Sequence, residues 1–298
     1  MVPIKSHTTG NMIDRVNTMR KKTEQHKYLE SLEKYEPLTS EEKQLLRSEQ
    51  NGWQGEWLFE ETLRRLKKHE HIIAEDVQLE YEDQFFQIDY LLSDSRQLWI
   101  VEVKNYTANM IYTKTGWVTA FGKHTYHDPT AQTVRTVTLF RNFLRAHQFQ
   151  LPVNGIIVFI NDLMEVTLQE SPVVPVLMKH QLRRFLTEWM SVDFYEKAPL
   201  IQLLHSERSE KVYPFKQRAL EKLIPCCQKC GSRKIQMKHQ ICHCPCGKKY
   251  YKKQFLKFLM RDFLILFPKR PLNYSNFCKI TGMKLRKNMF YEAKKLIQ

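Results

Sequence analysis

Residues 99–106 read WIVEVKNY. Trp99, Val101 and Val103 alternate with Ile100, Glu102 and Lys104, the period-2 pattern of a β-strand. Glu102 and Lys104 therefore share a face. Charged neighbours in so apolar a run belong either to a solvated sheet face or to a site that does chemistry. Upstream, QIDYLL sets Asp89 in a second apolar run, thirteen residues before Glu102. If the two strands pair as a hairpin, Asp89, Glu102 and Lys104 project from the same end of one sheet. That gathers two carboxylates and an ammonium into a small volume. Carboxylate oxygens suit Mg²⁺ or Mn²⁺, and Mg²⁺ keeps several waters and takes phosphate oxygens. A metal held there lowers the pKa of a bound water, while a neighbouring lysine orients or helps to deprotonate the nucleophile and offsets charge on a scissile phosphate. The pattern points to metal-assisted phosphodiester cleavage.

Around this pair the element types alternate. From Lys27 to about Arg47 the sequence has helical character, broken near EPLTSEE, where Thr39 or Ser40 can cap a second helix with Glu41 and Glu42 in its first turn. NGWQGEWLFEETLRRLKK predicts an amphipathic helix beginning near Gly55. HIIAEDVQLEY, QFFQIDYLL, LWIVEVKNY, MIYTKTGWVTAF and KHTYHD are strand-like. DPTAQTVRTVTLFRNFLRAH predicts a helix with Asp128 as N-cap and Pro129 at its first position. VNGIIVFIND predicts a buried strand, SPVVPVLM one more strand, and KHQLRRFLTEWM a further helix. Such an order makes an α/β fold with a mixed sheet flanked by helices. The expected organisation is an N-terminal arm and helices over 1–50, an α/β domain over 51–190, a linker over 191–224, a cysteine module over 225–251 and a basic helical tail over 252–298.

In the same order, GWQGEWLFEETL, QIDYLL, LWIVEVKNY and DPTAQTVRTVTLFRNFL resemble the successive blocks of the nuclease-related domain (NERD) family. D-x12-E-x-K in two neighbouring strands resembles the core of the PD-(D/E)xK nuclease superfamily. The resemblance runs from about Asn51 to Trp189. It implies a restriction-endonuclease-like fold and a Mg²⁺-dependent deoxyribonuclease. Its implied active site is Glu56 from the helix "GE", Asp89, the pair Glu102 and Lys104, and Gln132 of the later helix. Ile88 stands where the superfamily's name has proline. Glu56 also reads as a first-turn acid favoured by the helix dipole, and Gln132 as an ordinary polar helix residue.

Six of the seven cysteines lie between Cys226 and Cys246. Cys227-x2-Cys230-Gly231 and Cys244-x-Cys246-Gly247 are two knuckles, each followed by a glycine that lets the backbone fold under a metal, the form of a structural zinc ribbon. The second knuckle is one residue short of CxxC, so Cys242 or His243 can supply the third ligand in place of Cys244. Beyond it, KKQFLKFLMRDFLILF predicts a helix ended by Pro268, and the last residues predict two short helices around Thr281-Gly282, the outline of a helix-turn-helix or of a plain helical cap.

The net charge of +15 is uneven: residues 222–298 hold 19 Lys and Arg against Asp262 and Glu292. A polyanion is the implied partner, DNA before RNA. Lys248, Lys249, Lys252, Lys253, Lys284, Arg286, Lys287, Lys294 and Lys295 are the expected nucleic-acid contacts, and such contacts make binding steeply salt-dependent. The N-terminal residues lack the apolar core of a secretory signal, and FLKFLMRDFLILF is too short and too charged for a membrane span, so the expectation is a cytoplasmic protein without a membrane partner. No Gly-rich phosphate loop for ATP and no interface signature stands out, which leaves a homodimer open. The competing readings are a catalytically inactive nuclease-fold protein that binds DNA, and a regulatory protein whose basic tail contacts RNA or acidic partners.

Overall fold

The computed structural model describes residues 21–68, 71–93, 97–123, 128–188, 198–209 and 215–297. The chain divides into two compact units, Leu38–Ala219 and a second built from Met1–Pro37 with Leu220–Gln298. Helix α1 (Glu24–Tyr35) belongs to the second.

Helix α2 (Ser40–Arg65) opens the first unit. Thr39 and Glu42 cap it reciprocally, satisfying two of the backbone N–H groups that a helix start leaves without partners. The helix expected to begin near Gly55 is instead the second half of this one. Gly55 is an interior position where the helix must come close to its neighbour: a Cβ there would lie 2.6 Å from Cβ of Asn105. There follow β1 (Ile72–Tyr81), β2 (Gln84–Ser93), β3 (Leu98–Lys104), β4 (Met110–Thr113), β5 (Gly116–Thr119), α3 (Pro129–Ala146), β6 (Val153–Phe159), β7 (Val166–Leu168), β8 (Val176–Met178), α4 (Lys179–Glu188) and α5 (Ala198–Ser206).

The main sheet has the order β1-β2-β3-β6-β8. β1, β2 and β3 are antiparallel, and β3, β6 and β8 are parallel, so the sheet is mixed and changes sense at β3. The two-residue turn Glu82-Asp83 has both residues at positive φ, the turn whose twist suits a tight hairpin. Helix α3 covers one face, packing Val137, Phe140 and Leu144 with Leu91, Leu98 and Ile100. Helices α2 and α4 cover the other, where Phe59, Leu63, Leu182 and Phe185 meet Tyr90, Trp99, Val101 and Val103. β3 is thus buried on both faces, which excludes the solvated-face reading of Glu102. A smaller sheet, β5-β4-β7, holds Trp117 against Phe159 and Met164.

Helix α5 lies inside the stretch expected as linker and buries Leu200 and Leu204 with Val77 and Leu79 of β1, so part of that stretch belongs to the core. Of the strand-like run KHTYHD, residues 124–127 lie outside the described residues, as do most of the N-terminal arm (1–20), Trp189 and residues 191–197 and 210–214 of the expected linker.

In the second unit, β9 (Gln236–Met237), β10 (Ile241–His243) and β11 (Lys249–Tyr251) form a sheet of order β11-β10-β9, followed by α6 (Lys252–Leu266), α7 (Tyr274–Thr281) and α8 (Lys287–Lys294). Gly282 at φ +67° ends α7, and residues 283–286 lead into α8. Helix α1 packs on α6. The carboxylate of Asp262, 4% exposed, joins them by accepting from Ser31 Oγ (3.2 Å), Lys34 Nζ (2.9 Å) and Tyr35 Oη (2.6 Å). Burial, with Asp262 beside it, raises the Tyr35 phenol well above its usual range.

Candidate active site and metal centre

Asp89, Glu102 and Lys104 converge where the β2–β3 ladder ends. Its register pairs Tyr90 with Val101, and continuing that register sets Asp89 opposite Glu102 on the face toward α3. Beyond Tyr90 the side chain of Asp89 takes the place of a backbone partner: the Val103 N–H donates to its Oδ2 at 3.1 Å. Past this point β2 continues to pair with β1, and β3 with β6. The site therefore sits in a fork of the sheet, at the carboxyl end of the strand where antiparallel gives way to parallel.

Glu102 is 3% exposed, and Lys104 Nζ donates to its Oε1 at 2.6 Å. The same ammonium donates to Oε1 of Gln132 at 3.0 Å. Gln132 stands in the first turn of α3, which Asp128 caps through the Thr130 and Ala131 N–H groups. Burial by itself would lower the Lys104 pKa, but Glu102, Tyr106 and Asp89 outweigh it and raise it, so the side chain stays an ammonium. Among the described residues, Oε2 of Glu102 has no hydrogen-bond partner. A buried carboxylate with one oxygen neutralised and one open, facing a second carboxylate, is a donor set that fits a hard divalent cation.

Glu56 comes from the other face. Tyr90 Oη donates to its backbone carbonyl at 2.9 Å, and Asn105 Nδ2 donates to the Asn51 carbonyl at 2.9 Å, tying α2 to β2 and to the end of β3. The structure thus joins Glu102, Lys104 and Gln132 by direct hydrogen bonds and sets Asp89 on the intervening Val103 N–H, whereas Glu56 is held by its backbone to Tyr90 on the opposite face of the sheet. Two residues that the sequence reading passed over also belong here. Asn105 is the strap just described. Tyr106 shares the parity of Glu102 and Lys104; burial first, and Glu102 and Asp128 besides, raise its phenol against the opposing Lys104. That parity, carried two residues past the strand, was the available signal.

The second candidate site is a group of four cysteines. The sulfurs of Cys227, Cys230, Cys244 and Cys246 all lie within 4.8 Å of one another. Two of the edges measure 3.8 Å (Cys227–Cys246) and 3.5 Å (Cys230–Cys244), against about 3.8 Å for a tetrahedron with Zn–S bonds of about 2.3 Å. Four thiolates in this volume fit a structural zinc ion. Cys242, left open as a ligand by the sequence, is buried on β10, and His243 is outside the cluster, so it is Cys244 that completes the group of four sulfurs. Gly231 (φ +69°) and Gly247 (φ +85°) supply the left-handed turns that each knuckle needs. Burial resists ionisation of Cys227, but the Tyr250 hydroxyl (3.2 Å) and the N–H groups of Lys229 and Cys230 outweigh it and pull the thiol pKa down. Tyr250 is an outer-shell partner that the cysteine spacing could not reveal.

Of the expected nucleic-acid contacts, Lys248, Lys249, Lys284, Arg286, Lys287 and Lys295 are exposed. Lys253 is also exposed but pairs with Glu292 at 2.8 Å, Lys252 is half-buried, and Lys294 donates to the Leu272 carbonyl at 2.9 Å.

A mixed sheet between helices, with acids and a lysine at its change of sense, is a nuclease-like α/β domain. Residues 51–160 match the family model of the nuclease-related domain. No curated protein and no solved structure matches the chain. Among the described residues no helix is long and apolar enough to cross a membrane.

Proposed function

We propose that the protein is a metal-dependent nuclease that hydrolyses DNA phosphodiester bonds at Asp89, Glu102 and Lys104, with the zinc-ribbon unit engaging the nucleic acid. The observation that carries this reading is the single cluster of Asp89, Glu102, Lys104 and Gln132 at the fork of β2 and β3. Asp89 and Glu102 would hold Mg²⁺ or Mn²⁺, which would supply an acidified water and offset phosphate charge. Lys104 stays protonated through its carboxylate neighbours, so its part is to hold the water and phosphate by charge and hydrogen bonding rather than to remove a proton. Gln132 fixes the direction of that ammonium. Glu56 of α2 is the family-implied further acid in this reading.

The test is cleavage of a panel of duplex, single-stranded and branched DNA by the full chain with Mg²⁺ or Mn²⁺, beside Glu102→Gln and Lys104→Gln. Loss of a preorganised electrostatic group lowers turnover by about 10²–10³-fold. Unchanged turnover in both variants refutes the assignment. The 2.6 Å ion pair favours one other reading, in which Glu102 is satisfied without metal and the domain is a scaffold for DNA binding. Salt-sensitive binding with no turnover under any divalent ion would select it.

A further inference from the structure

The outer face of the ribbon sheet carries a pattern that metal binding does not explain. Its register pairs Ile241 with Tyr251, Cys242 with Tyr250 and His243 with Lys249, while β9 adds Gln236 opposite His243 and Met237 opposite Cys242. Side chains alternate across a sheet, so one face holds Cys242, Tyr250 and Met237, and the other holds Tyr251, Lys249, His243, Ile241 and Gln236. The first face is the structural one: Cys242 and Tyr250 are buried, and the Tyr250 ring packs at 5.6 Å from Phe255 of α6. The second is the more exposed: Ile241 and His243 are half-buried, Lys249 is exposed, and Tyr251, a large aromatic ring, is 71% exposed.

Nothing local calls for an aromatic ring at this position. Tyr251 is the N-cap residue of α6, a place favouring Ser, Thr, Asp or Asn, and its side chain makes no capping hydrogen bond. Local rules broken at an exposed residue are the mark of a functional demand. The stretch that carries it is basic: residues 222–261 contain eleven Lys and Arg and no Asp or Glu, and among the described residues only Lys253, of the lysines beside Tyr251, is in an ion pair, with Glu292.

We infer that this face is a stacking platform for an unpaired DNA strand. A base stacks on the Tyr251 ring, and Lys249 takes flanking phosphates, with His243 beside it. An exposed ring on a short sheet offers a π-face rather than an element shaped for a groove, and a base must leave its helix to meet it. The inference rests on the reading of the ribbon unit as nucleic-acid-binding. It is independent of whether the acidic site cleaves.

The experiment measures binding of the full chain, zinc retained and no other divalent metal added, to a labelled oligothymidylate and to a hairpin duplex of equal length. Loss of a stacking contact predicts about 5- to 150-fold weaker binding of oligothymidylate by Tyr251→Ala. Tyr251→Phe should bind as the unaltered chain does, and duplex affinity should change less than single-strand affinity. Equal binding by Tyr251→Ala, or an equal loss for duplex and single strand, overturns the platform. If Tyr251→Ala loses its zinc, photocrosslinking of the unaltered chain to 5-iodouracil oligonucleotide decides: adducts on the peptide holding Tyr251 support the inference, and adducts confined to other peptides refute it. A chain that binds duplex but no single strand refutes the platform alone, whereas one that binds neither refutes the nucleic-acid reading of the whole unit.

Discussion

Alanine replacing glycine inside a helix ordinarily stabilises a protein, and α2 offers the comparison twice. Gly52 and Gly55 are both interior to the helix, and each forgoes about 1 kcal/mol of helix propensity relative to alanine. At Gly52 a Cβ meets nothing within 4 Å, so Gly52→Ala should raise stability by roughly that amount. At Gly55 the same atom would lie 2.6 Å from Cβ of Asn105 and 3.4 Å from Ile160 Cγ2. Asn105 cannot swing aside cheaply, because the atom in the way is next to its backbone and its amide holds the Asn51 carbonyl. Overpacking of this kind costs about 1–3 kcal/mol and offsets or exceeds the propensity gain. Gly55→Ala should therefore be less stable than Gly52→Ala by about 1–3 kcal/mol, since the propensity term is common to both. All five tryptophans lie between residues 53 and 189, so tryptophan fluorescence during urea unfolding reports on this unit and not on the ribbon. A Gly55→Ala midpoint equal to or above that of Gly52→Ala would refute the close approach of α2 to the end of β3. In the same variant, the proposed cleavage should fall, because displacing Asn105 shifts the chain directly after Lys104.

The cysteine assignment predicts that Cys244→Ser lowers the zinc bound per chain while Cys242→Ser leaves it unchanged, by elemental analysis; the reverse would restore the ligand the sequence left open. Tyr250→Phe removes the hydroxyl at 3.2 Å from Cys227 and should weaken metal affinity about 10- to 100-fold in a chelator competition. Asp262→Ala strands the Tyr35 and Ser31 hydroxyls, each at a cost of about 1–3 kcal/mol, whereas Asp262→Asn keeps an acceptor and should lose less. Thermal unfolding of the two, followed by zinc release, separates them.

Period-2 runs bounded by turn residues placed β1, β2, β3 and β6 because each is long enough for alternation or an unbroken apolar run to show. Asp128 and Pro129 located the start of α3 for a reason written in two residues, a side-chain cap and a fixed φ. Glycine misled at Gly55: read as a helix start, it answers to a neighbour fifty residues away, which local sequence does not report. Helix α5 was hidden by the same kind of distance, since Leu200 and Leu204 acquire meaning only against Val77 and Leu79. Glu102 and Lys104 were legible as a pair because parity fixes their shared face. The reach of Asp89 to Val103 depends on where the ladder stops, and that is a property of two strands together.

The unit holding α1 is assembled from the two extremes of the chain, and the nuclease-like unit is threaded between them as an insertion. Asp262, which fastens α1, lies 231 residues downstream of Ser31. During synthesis α1 must wait for its partner until α6 has left the ribosome, while the inserted domain can complete its core in the meantime. The same arrangement fixes where the chain can be cut. A fragment ending before α6 but still carrying α1 displays an orphaned apolar stripe and should aggregate.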